Sequence, residues 1–545
     1  MFDYIIVGGG SAGCVLANRL SANPNTSVCL LEAGPNDTSL AISTPAYMFL
    51  LMSMKKLNWM NYTKPEKNLN NRELFWPRAK VLGGCSSSNA MIYTRGHKED
   101  FNHWKALGNS GWGYQDILPY FKKAENQASF GENEFHGVTG PLNVTSLKNY
   151  TQMSDVFING GQEVGYQHNC DFNGKEQEGI GHYQVTQKNG RRCNTSAAYI
   201  KPIKKRKNLT VLTNAHVSRL MLDGTRVTGV EYFKKAKGKA IILNANKEVI
   251  LSAGANNSPQ ILMLSGIGPK KELEKHNIPL VRDLPGVGQN LQDHLDTNMV
   301  EKCKKAATLS VSWDQPITTF TDLFNFYVRG CGRLSSPGTE AGGFVKSSEQ
   351  ETRPDLQFHF TSAQLKNHGR DWSAFIGHHY SLHVCNLQPK SRGKITLNSS
   401  NYKDNVNINP NFLDHTDDME KMVKGVKACL KILESDAFKP YRGKAKTEHA
   451  NLKTDKDIRE YIRNKSESIY HPVGTCKMGN DDMAVVDAQL RVHGVQGLRV
   501  VDASIMPTIT RSNTNAPTIA IAEKAAEMIL HSIDHHEKAK MTYIS

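Results

Sequence analysis

Six residues near the start of the chain, Gly8-Gly9-Gly10-Ser11-Ala12-Gly13, constrain its fold more than any other feature. They follow the apolar run Tyr4-Ile5-Ile6-Val7, which reads as a short buried strand, and precede Cys14-Val15-Leu16-Ala17-Asn18-Arg19-Leu20, which reads as a helix. Gly-x-Gly-x-x-Gly at a strand-to-helix turn has a physical purpose. Gly8 permits the tight turn, Gly10 lets a pyrophosphate approach the backbone, and Gly13 lets helix and strand pack closely. The helix N-terminus then offers free N–H groups and a partial positive charge to phosphate. A second strand, Val28-Cys29-Leu30-Leu31, ends at Glu32. That acid lies about twenty residues beyond the glycines, where a carboxylate accepts hydrogen bonds from an adenosine ribose. Strand, loop, helix, strand and acid in one register predict a dinucleotide-binding α/β domain. The fingerprint leaves NAD and FAD open, while Glu32 disfavours NADP because a carboxylate repels a 2′-phosphate.

Three further segments are too specific to be filler. Pro77-Arg78-Ala79-Lys80-Val81-Leu82-Gly83-Gly84-Cys85-Ser86-Ser87-Ser88-Asn89 combines paired glycines with short hydroxyls and an amide. It suits a second close contact with a phosphate or a polar ring edge, and its apolar flanks, Val81-Leu82 and Met91-Ile92-Tyr93, predict packing on both sides. Val249-Ile250-Leu251-Ser252-Ala253-Gly254 reads as a buried strand. A helix is predicted after it, capped by Ser258, with Pro259 in its first turn and Gly266 at its end. Leu498-Arg499-Val500-Val501-Asp502 is another short strand, leading through Asn513-Thr514-Asn515-Ala516-Pro517 to a helix predicted to about Ser532. The start of that helix directs roughly half a positive charge toward whatever lies ahead of Asn515.

Composition narrows the alternatives. At roughly 100–200 residues per domain, 545 residues make about three domain-equivalents or a large two-domain protein. The excess of 67 Lys+Arg over 52 Asp+Glu suits nucleic acid, an anionic membrane surface or a basic enzyme. Basic residues cluster in short patches, Lys201 to Lys207 and Lys234 to Lys239, without a zinc-finger, zipper or ribonucleoprotein signature, so no nucleic-acid partner is expected. Ten cysteines at irregular spacing contain no Cys-x-x-Cys pair, so no metal site is expected and reduced thiols are the default. Met1-Phe2-Asp3 runs straight into a strand rather than a secretory leader, and no stretch approaches the ~20 apolar residues of a membrane span. A cytoplasmic location follows, with peripheral attachment to the cytoplasmic face of the membrane left open. The most apolar stretch, Pro45 to Met52 followed by Lys55-Lys56, reads first as a lid over the active site. Its second reading is an interfacial anchor that passes electrons to a membrane quinone.

Taken together, the N-terminal fingerprint, the Gly83-to-Asn89 loop, the Ser258-to-Gly268 segment, His471-Pro472-Val473-Gly474-Thr475-Cys476-Lys477-Met478-Gly479 and the closing Val500-to-Asn515 block resemble the glucose–methanol–choline (GMC) family of flavin oxidoreductases. The resemblance runs from about residue 3 to residue 532. Ser381 to Gly393 is most similar to bacterial alkanol dehydrogenases of alkane oxidation, and next to choline dehydrogenase. It implies a Rossmann-like FAD-binding domain from residues 1–148, 190–297 and 467–545. A substrate domain, an antiparallel sheet flanked by helices, is implied from 149–189 and 298–466. Leu356-Gln357-Phe358-His359-Phe360 alternates as a half-buried strand does, and Asp414 to Leu433 reads as a helix with Met419, Met422, Val423, Val426 and Leu430 on its core face.

Alcohol oxidation removes a proton from oxygen and a hydride from carbon. Flavin takes the hydride, and a histidine, mostly neutral at physiological pH, is a sensible base for the proton. By resemblance, His471 is that base and Asn515 the partner that binds the substrate oxygen. The resemblance places FAD against Gly8, Gly10, Ser11, Gly13, Glu32, Ala33, Gly83, Gly84, Ser88, Asn89, Val217, Asp502 and Ala503. Relatives with covalently attached flavin carry His where this chain has Ser88, so FAD is expected to be non-covalent. The implied activity is oxidation of primary aliphatic alcohols to aldehydes, with electrons passed to a quinone-type acceptor. The alternatives are choline dehydrogenase, an oxidase using O₂ and a non-redox FAD-binding lyase. Choline would need aromatic faces and a carboxylate, for which Trp313, Phe344, Trp372 and Glu340 are candidates.

Overall fold

A computed structural model of the chain describes residues 1–234, 238–309, 320–364, 370–371, 376–443 and 448–542, with side chains of the last helix as far as His531. Trp313, Trp372 and part of the Lys234-to-Lys239 patch lie outside the described residues.

Two sheets organise the molecule. In the first, the strands run in the order Leu209–Leu212, Val28–Leu31, Phe2–Val7, Ile241–Leu251, Arg226–Phe233, His216–Asp223, with Leu498–Val500 also paired to Ile241–Leu251. The long strand Ile241–Leu251 serves two geometries. Its first half pairs antiparallel with Arg226–Phe233 and alternates between exposed and half-buried residues. Its last residues, Val249 to Leu251, lie between the parallel strands Phe2–Val7 and Leu498–Val500 and are wholly buried. Continuous burial is what a parallel strand covered on both faces requires. Helix Ser11–Leu20 packs on this sheet beside the final helix, Asn515–Thr542, which extends ten residues beyond the expected end. Arg19 on the first helix donates to the buried Glu523 carboxylate at 2.7 Å, and the Tyr199 hydroxyl donates to the same group at 2.9 Å.

The second sheet is antiparallel throughout, in the order Glu467–Ser468, Leu295–Lys302, His379–Asn386, Leu356–Thr361, Thr339–Val345, Gly179–His182. Leu295–Thr297 and Glu467–Ser468, expected in the first domain, are therefore strands of the second sheet. The reason is local pairing: the two segments bond each other, and Ile469 N–H continues the contact to His294 O at 3.1 Å. Helix Thr416–Leu433 lays Met419, Met422, Val423 and Val426 against one face of this sheet, with Leu430 half-buried beside them. Gly425 lets the helix come close, since a Cβ there would sit 2.8 Å from Val384.

Leu356–Thr361 is buried at all six positions rather than half-buried. Its alternation is real, but His359 and Thr361 face an interior cavity instead of solvent, and Gln357 bonds Tyr183 and Asn513. A second departure concerns the helix after Ser252, which runs Gly254–Leu264 and so begins four residues before the expected cap. Pro259 sits inside it, and the Ala255 carbonyl that a proline cannot serve accepts the Thr475 hydroxyl at 2.6 Å. Gly266, in the left-handed region at φ 80°, follows its end as expected.

A buried ionic cluster ties four separate segments together. Arg95 donates to Glu125 at 2.5 Å, and His136 bridges Glu125 (3.1 Å) and Asp171 (2.9 Å). The side chains of Arg95, Glu125 and His136 are at most 2 % exposed, so each charge depends on the others for solvation. Replacing Glu125 by Gln strands a buried guanidinium, and denaturant titration should show a loss of about 3–5 kcal/mol. The cluster also sets a pH window. Contact with Asp171 and Glu125 outweighs burial and raises His136 above the usual histidine value, and contact with His136 holds Asp171 below the usual carboxylate value. The Asp171 contribution is present above pH ~4 and lost as pH falls through its lowered value; that of His136 is present below pH ~6.5 and lost as pH rises through its raised value. Denaturation midpoints should therefore be highest between these limits, and Asp171→Asn should flatten the acid side.

Candidate active site

The turn after the first strand is built by close approach. Gly8 takes φ 102°, and a Cβ on Gly13 would lie 1.9 Å from Gly8 O, so the helix begins directly on the strand. Gly84 comes down over this turn, and a Cβ on it would lie 2.6 Å from Gly10 Cα. A side chain on Gly84 would keep the two loops from meeting there. They open into a cavity of about 740 Å³ that Gly8, Gly10, Ser11, Glu32, Ala33, Gly84, Ser88, Asn89, Val217, Asp502, Ala503, His471 and Asn515 all line. Gly13 and Gly83 do not line it. Gly13 is behind the wall as a packing residue, and Gly83 donates its N–H to Gly9 O at 2.7 Å, stitching the two loops from the back.

The cavity wall carries the donors and acceptors a dinucleotide needs. The Glu32 carboxylate accepts from Gly9 N–H (3.0 Å) and Gly34 N–H (2.7 Å), which fixes it at the end of its strand. Burial raises its proton affinity and these two N–H groups oppose the rise. Trp59, His216 and Tyr402 form an aromatic wall beside Val217, with ring centroids 5.3 and 4.9 Å apart in sequence. Ser252 Oγ and both amide atoms of Asn256 are buried on this wall with no partner among the described residues. Orphaned polar atoms beside a glycine cradle and a helix N-terminus fit a bound dinucleotide, which would complete them. Asp502 has a structural share in this: Gly254 N–H, the Ser258 hydroxyl and Ser504 N–H all donate to its carboxylate. Arg192 donates to Asn89 O (2.7 Å) and Asn89 Oδ1 (2.9 Å) and so fixes the amide at the end of the Gly83-to-Asn89 loop.

At the other end of the cavity lies His471. Its loop is held under strain, since Tyr470 takes φ 71°, a left-handed value costly for a bulky residue. Three bonds hold it there: Arg78 donates to Tyr470 O at 2.8 Å, Tyr470 N–H to Ser468 Oγ at 2.9 Å, and His471 N–H to Asp293 Oδ1 at 2.6 Å. Burial pushes the Asp293 carboxyl up to about 7. The His471 ring contacts His294 (Nδ1 to Nδ1, 3.0 Å) and Asn513 (Nε2 to Nδ2, 3.2 Å). Burial, with His294, His359 and Arg78 nearby, drives its basicity well below that of a free imidazole, so it is neutral.

Asn513, not Asn515, is thus the amide beside His471. Asn515 opens the final helix, and its Oδ1 accepts from the Ser11 hydroxyl at 2.7 Å, which ties that helix to the glycine turn. The reason is register: Asn513 lies two positions ahead of the helix start, in the loop that reaches His471, and that loop is pinned upstream by Arg511 N–H on Asp100 at 2.7 Å. The remaining wall has two characters. Met48, Phe49 and Met52, from the helix Met48–Ser53, make an apolar side. Met48, Leu51 and Met52 are buried and Phe49 and Leu50 half-buried, and Met48, Phe49 and Met52 stand on the cavity wall. Opposite stand His359 and Thr361, with Asp296 and His383 paired at 2.7 Å. Neither ring nitrogen of His359 and not Asp296 Oδ1 has a partner among the described residues. The expected choline groups are placed elsewhere. Phe344 packs in a core cluster, and Glu340 accepts from Thr151, Ser154 and Ser336.

Sequence reasoning missed His294, His359, Asp296 and Asn513. His359 had a signal, the polar half of an alternating strand. Asn513 stood two residues from the asparagine chosen, and the proximity of His294 to His471 is a long-range pairing with no local mark.

Known proteins resemble this chain over nearly its whole length. A family description, GMC oxidoreductase, matches residues 2–296 and 389–522 through its N- and C-terminal parts. The chain is 46% identical over 534 residues to an alcohol dehydrogenase [acceptor] of Pseudomonas putida, covering 98% of this chain and 96% of that one. It is 42% identical over 538 residues to the mitochondrial choline dehydrogenase of Mus musculus, covering 97% and 89%. Among solved structures, pyridoxine 4-oxidase from Mesorbium loti superposes with a TM-score of 0.87 at 30% identity over 97% of this chain and 99% of that one. A formate oxidase structure does so with a TM-score of 0.88 at 27% identity, covering 97% and 98%. The chain belongs to the GMC oxidoreductase family and is an FAD-dependent alcohol oxidoreductase.

Proposed function

We propose that the protein oxidises primary aliphatic alcohols to aldehydes, with His471 as proton acceptor and Asn513 as the group that holds the substrate oxygen. The observation that carries this is the 3.2 Å contact of His471 Nε2 with Asn513 Nδ2 on the wall of the cavity that the glycine cradle also lines. FAD, when bound, supplies the two-electron acceptor that takes the hydride from the alcohol carbon. A substrate hydroxyl that reaches both nitrogens from the cavity, replacing their direct contact, gives its proton to the His471 lone pair and accepts the Asn513 N–H, which stabilises negative charge developing on oxygen. The Asn513 amide is held for this, since its Oδ1 already accepts from Thr94 Oγ1 (3.0 Å) and Gln357 Nε2 (3.1 Å). The first turn of the final helix, with Thr514, Asn515 and Thr518 on the cavity wall, adds its partial positive charge. Met48, Phe49 and Met52 suit an alkyl chain.

A second reading, choline, is favoured by one observation, the unpartnered Asp296 Oδ1 on the opposite wall, which suits a quaternary ammonium. Anaerobic mixing with 1-octanol and with choline separates the two, scored by loss of flavin colour. We expect octanol to bleach the wild type faster. Bleaching by neither would exclude both. His471→Gln should slow bleaching by about 10²–10⁴-fold, and Asn513→Ala should slow it more than Asn515→Ala. An Asn515→Ala variant slower than Asn513→Ala would return the oxygen-binding role to Asn515. FAD is held non-covalently on this reading, so acid precipitation should leave the yellow colour in the supernatant.

The electrons pass on to a quinone-type acceptor, and an exposed surface suits peripheral contact with an anionic bilayer. On the continuous helical segment Phe320–Arg329, Phe320 is 85% and Val328 67% exposed, with Leu323, Phe324 and Tyr327 also outward. Basic groups rim this crest. The Arg191 guanidinium lies over Tyr327 at 5.4 Å, that of Arg329 over Phe324 at 5.4 Å, and Lys148 donates to Arg329 O. An apolar crest in a cationic rim matches the chemistry of an anionic lipid surface. Co-sedimentation with vesicles of equal parts phosphatidylglycerol and phosphatidylcholine should deplete the supernatant at low salt, and Phe320→Ser with Val328→Ser should abolish this. Wild-type protein left wholly in the supernatant would refute membrane contact. Among the described residues, no helix is long and apolar enough to cross a membrane.

A further inference from the structure

We propose that His294 is the positioning residue that fixes the tautomer of His471: it accepts the His471 Nδ1–H and thereby turns the bare Nε2 toward the cavity. This rests on the reading of His471 as the proton acceptor.

The role of one group at this site cannot change. Leu387 O, a main-chain carbonyl, only accepts, and His294 Nε2 lies 3.2 Å from it. The hydrogen of that bond must belong to His294. His294 is wholly buried, and burial pushes its basicity down to about 3, so its ring is neutral and carries one hydrogen. With that hydrogen spent on Leu387, His294 Nδ1 presents a lone pair. His471 Nδ1 lies 3.0 Å away, with the two rings perpendicular. One hydrogen fits between two nitrogens, and it can come only from His471. Neutral His471 is then left with a bare Nε2.

The far end of the chain agrees. Nε2 faces the Asn513 amide at 3.2 Å, and the donors Thr94 and Gln357 already occupy Asn513 Oδ1, so the NH₂ edge points to the histidine. The donors therefore all run one way: Asn513 to His471, His471 to His294, His294 to Leu387. The opposite His471 tautomer would set two lone pairs face to face at one contact and two N–H groups face to face at the other, losing both bonds.

His294 is held apart from its ring contacts. Gln292 and Val473 exchange backbone bonds at 3.1 and 2.9 Å, and Ile469 N–H donates to His294 O, so the segment bearing His294 is sewn to the loop bearing His471. The ring of His294 is a neutral acceptor, unlike a carboxylate, and brings no charge to the site. The other titratable or charged groups around His471 are Asp293 on its main-chain N–H, His359 on the neighbouring sheet and Arg78 on the loop beneath. Because the row ends at a carbonyl with no exit, a proton taken up at Nε2 leaves by Nε2. His294 orients the base and does not drain it.

The experiment uses the FAD-loaded enzyme with His294→Leu, which removes the acceptor, and His294→Asn, which can accept and donate as the imidazole does. Two readouts are taken at equal flavin loading: the limiting rate of anaerobic bleaching by 1-octanol, and the ¹⁵N signals of histidine-labelled protein, with His471 assigned from its absence in His471→Gln. Misplacing a base tautomer elsewhere costs as much as ~10⁴-fold, so His294→Leu is expected to lower the limiting rate by about 10²-fold or more. The half-saturating alcohol concentration should move by less than ~3-fold, and His294→Asn should recover about 10-fold of the loss. The wild-type His471 signal should be that of an Nδ1–H imidazole, and the Leu variant's that of an Nε2–H one. A wild-type His471 protonated at Nε2, a Leu variant within ~3-fold of wild type, or an Asn variant no faster than Leu would each overturn the proposal. A wild type that no alcohol bleaches would overturn the functional reading instead, and the ¹⁵N signals would still decide the pairing.

Discussion

The carboxylate of Asp293 is the point on which the site's geometry depends. It takes the His471 N–H on one oxygen and the Ser468 hydroxyl on the other, in a fully buried position. By doing so it fixes a loop that would otherwise relax, because Tyr470 sits in a left-handed conformation that a bulky side chain does not adopt unaided. The same short stretch, Gln292 to Asp296, also begins a strand of the second sheet and carries His294. The His471 loop, the His294 ring and the sheet edge are therefore one connected unit. Preorganisation of this kind matters for proton abstraction from an alcohol, a very weak acid, where a misplaced base loses most of its effect.

The histidines at the reaction end of the cavity carry no charge. His294, His359 and His471 are all driven neutral by burial, and the Asp293 carboxyl is engaged by the His471 N–H and the Ser468 hydroxyl. A neutral imidazole is the form that accepts a proton. In a low-dielectric setting, the positive charge it then acquires is costly unless negative charge develops close by at the same time. That coupling favours a reaction in which proton and hydride leave in close succession. At the cofactor end stand the helix N-termini beside the glycine cradle and Arg192 beneath Asn89.

The cradle was legible because its meaning is local. Tight turn, close packing and a strand-end acid all fall within about thirty residues, and their spacing carries the physics. The residues around His471 were legible only in part, because they come from five separated segments and meet through tertiary pairing. Asn513 and Asn515 share one short motif, and only the start of the final helix decides which of them turns toward the base and which ties down Ser11. The strand Leu356–Thr361 shows a different limit. Its period of two was read correctly, but polarity facing a cavity and polarity facing water look the same in sequence. Pro259 misled for a further reason: a proline ordinarily marks a helix's first turn, and the Thr475 hydroxyl that compensates it in the interior is distant in the chain.

The first sheet opens with residues 2–7, yet it is not complete without Leu498–Val500, and the cavity beside it lacks a wall until Asn515 is in place. Ribosomes add about 5–20 residues per second, so some 500 residues correspond to roughly 25–100 s of synthesis. During that interval the nascent N-terminal strands have one open edge and an unfinished nucleotide groove. Cofactor loading therefore belongs to the released chain rather than to the growing one, and a truncation near the C-terminus would lose the pigment as surely as one at the glycine turn.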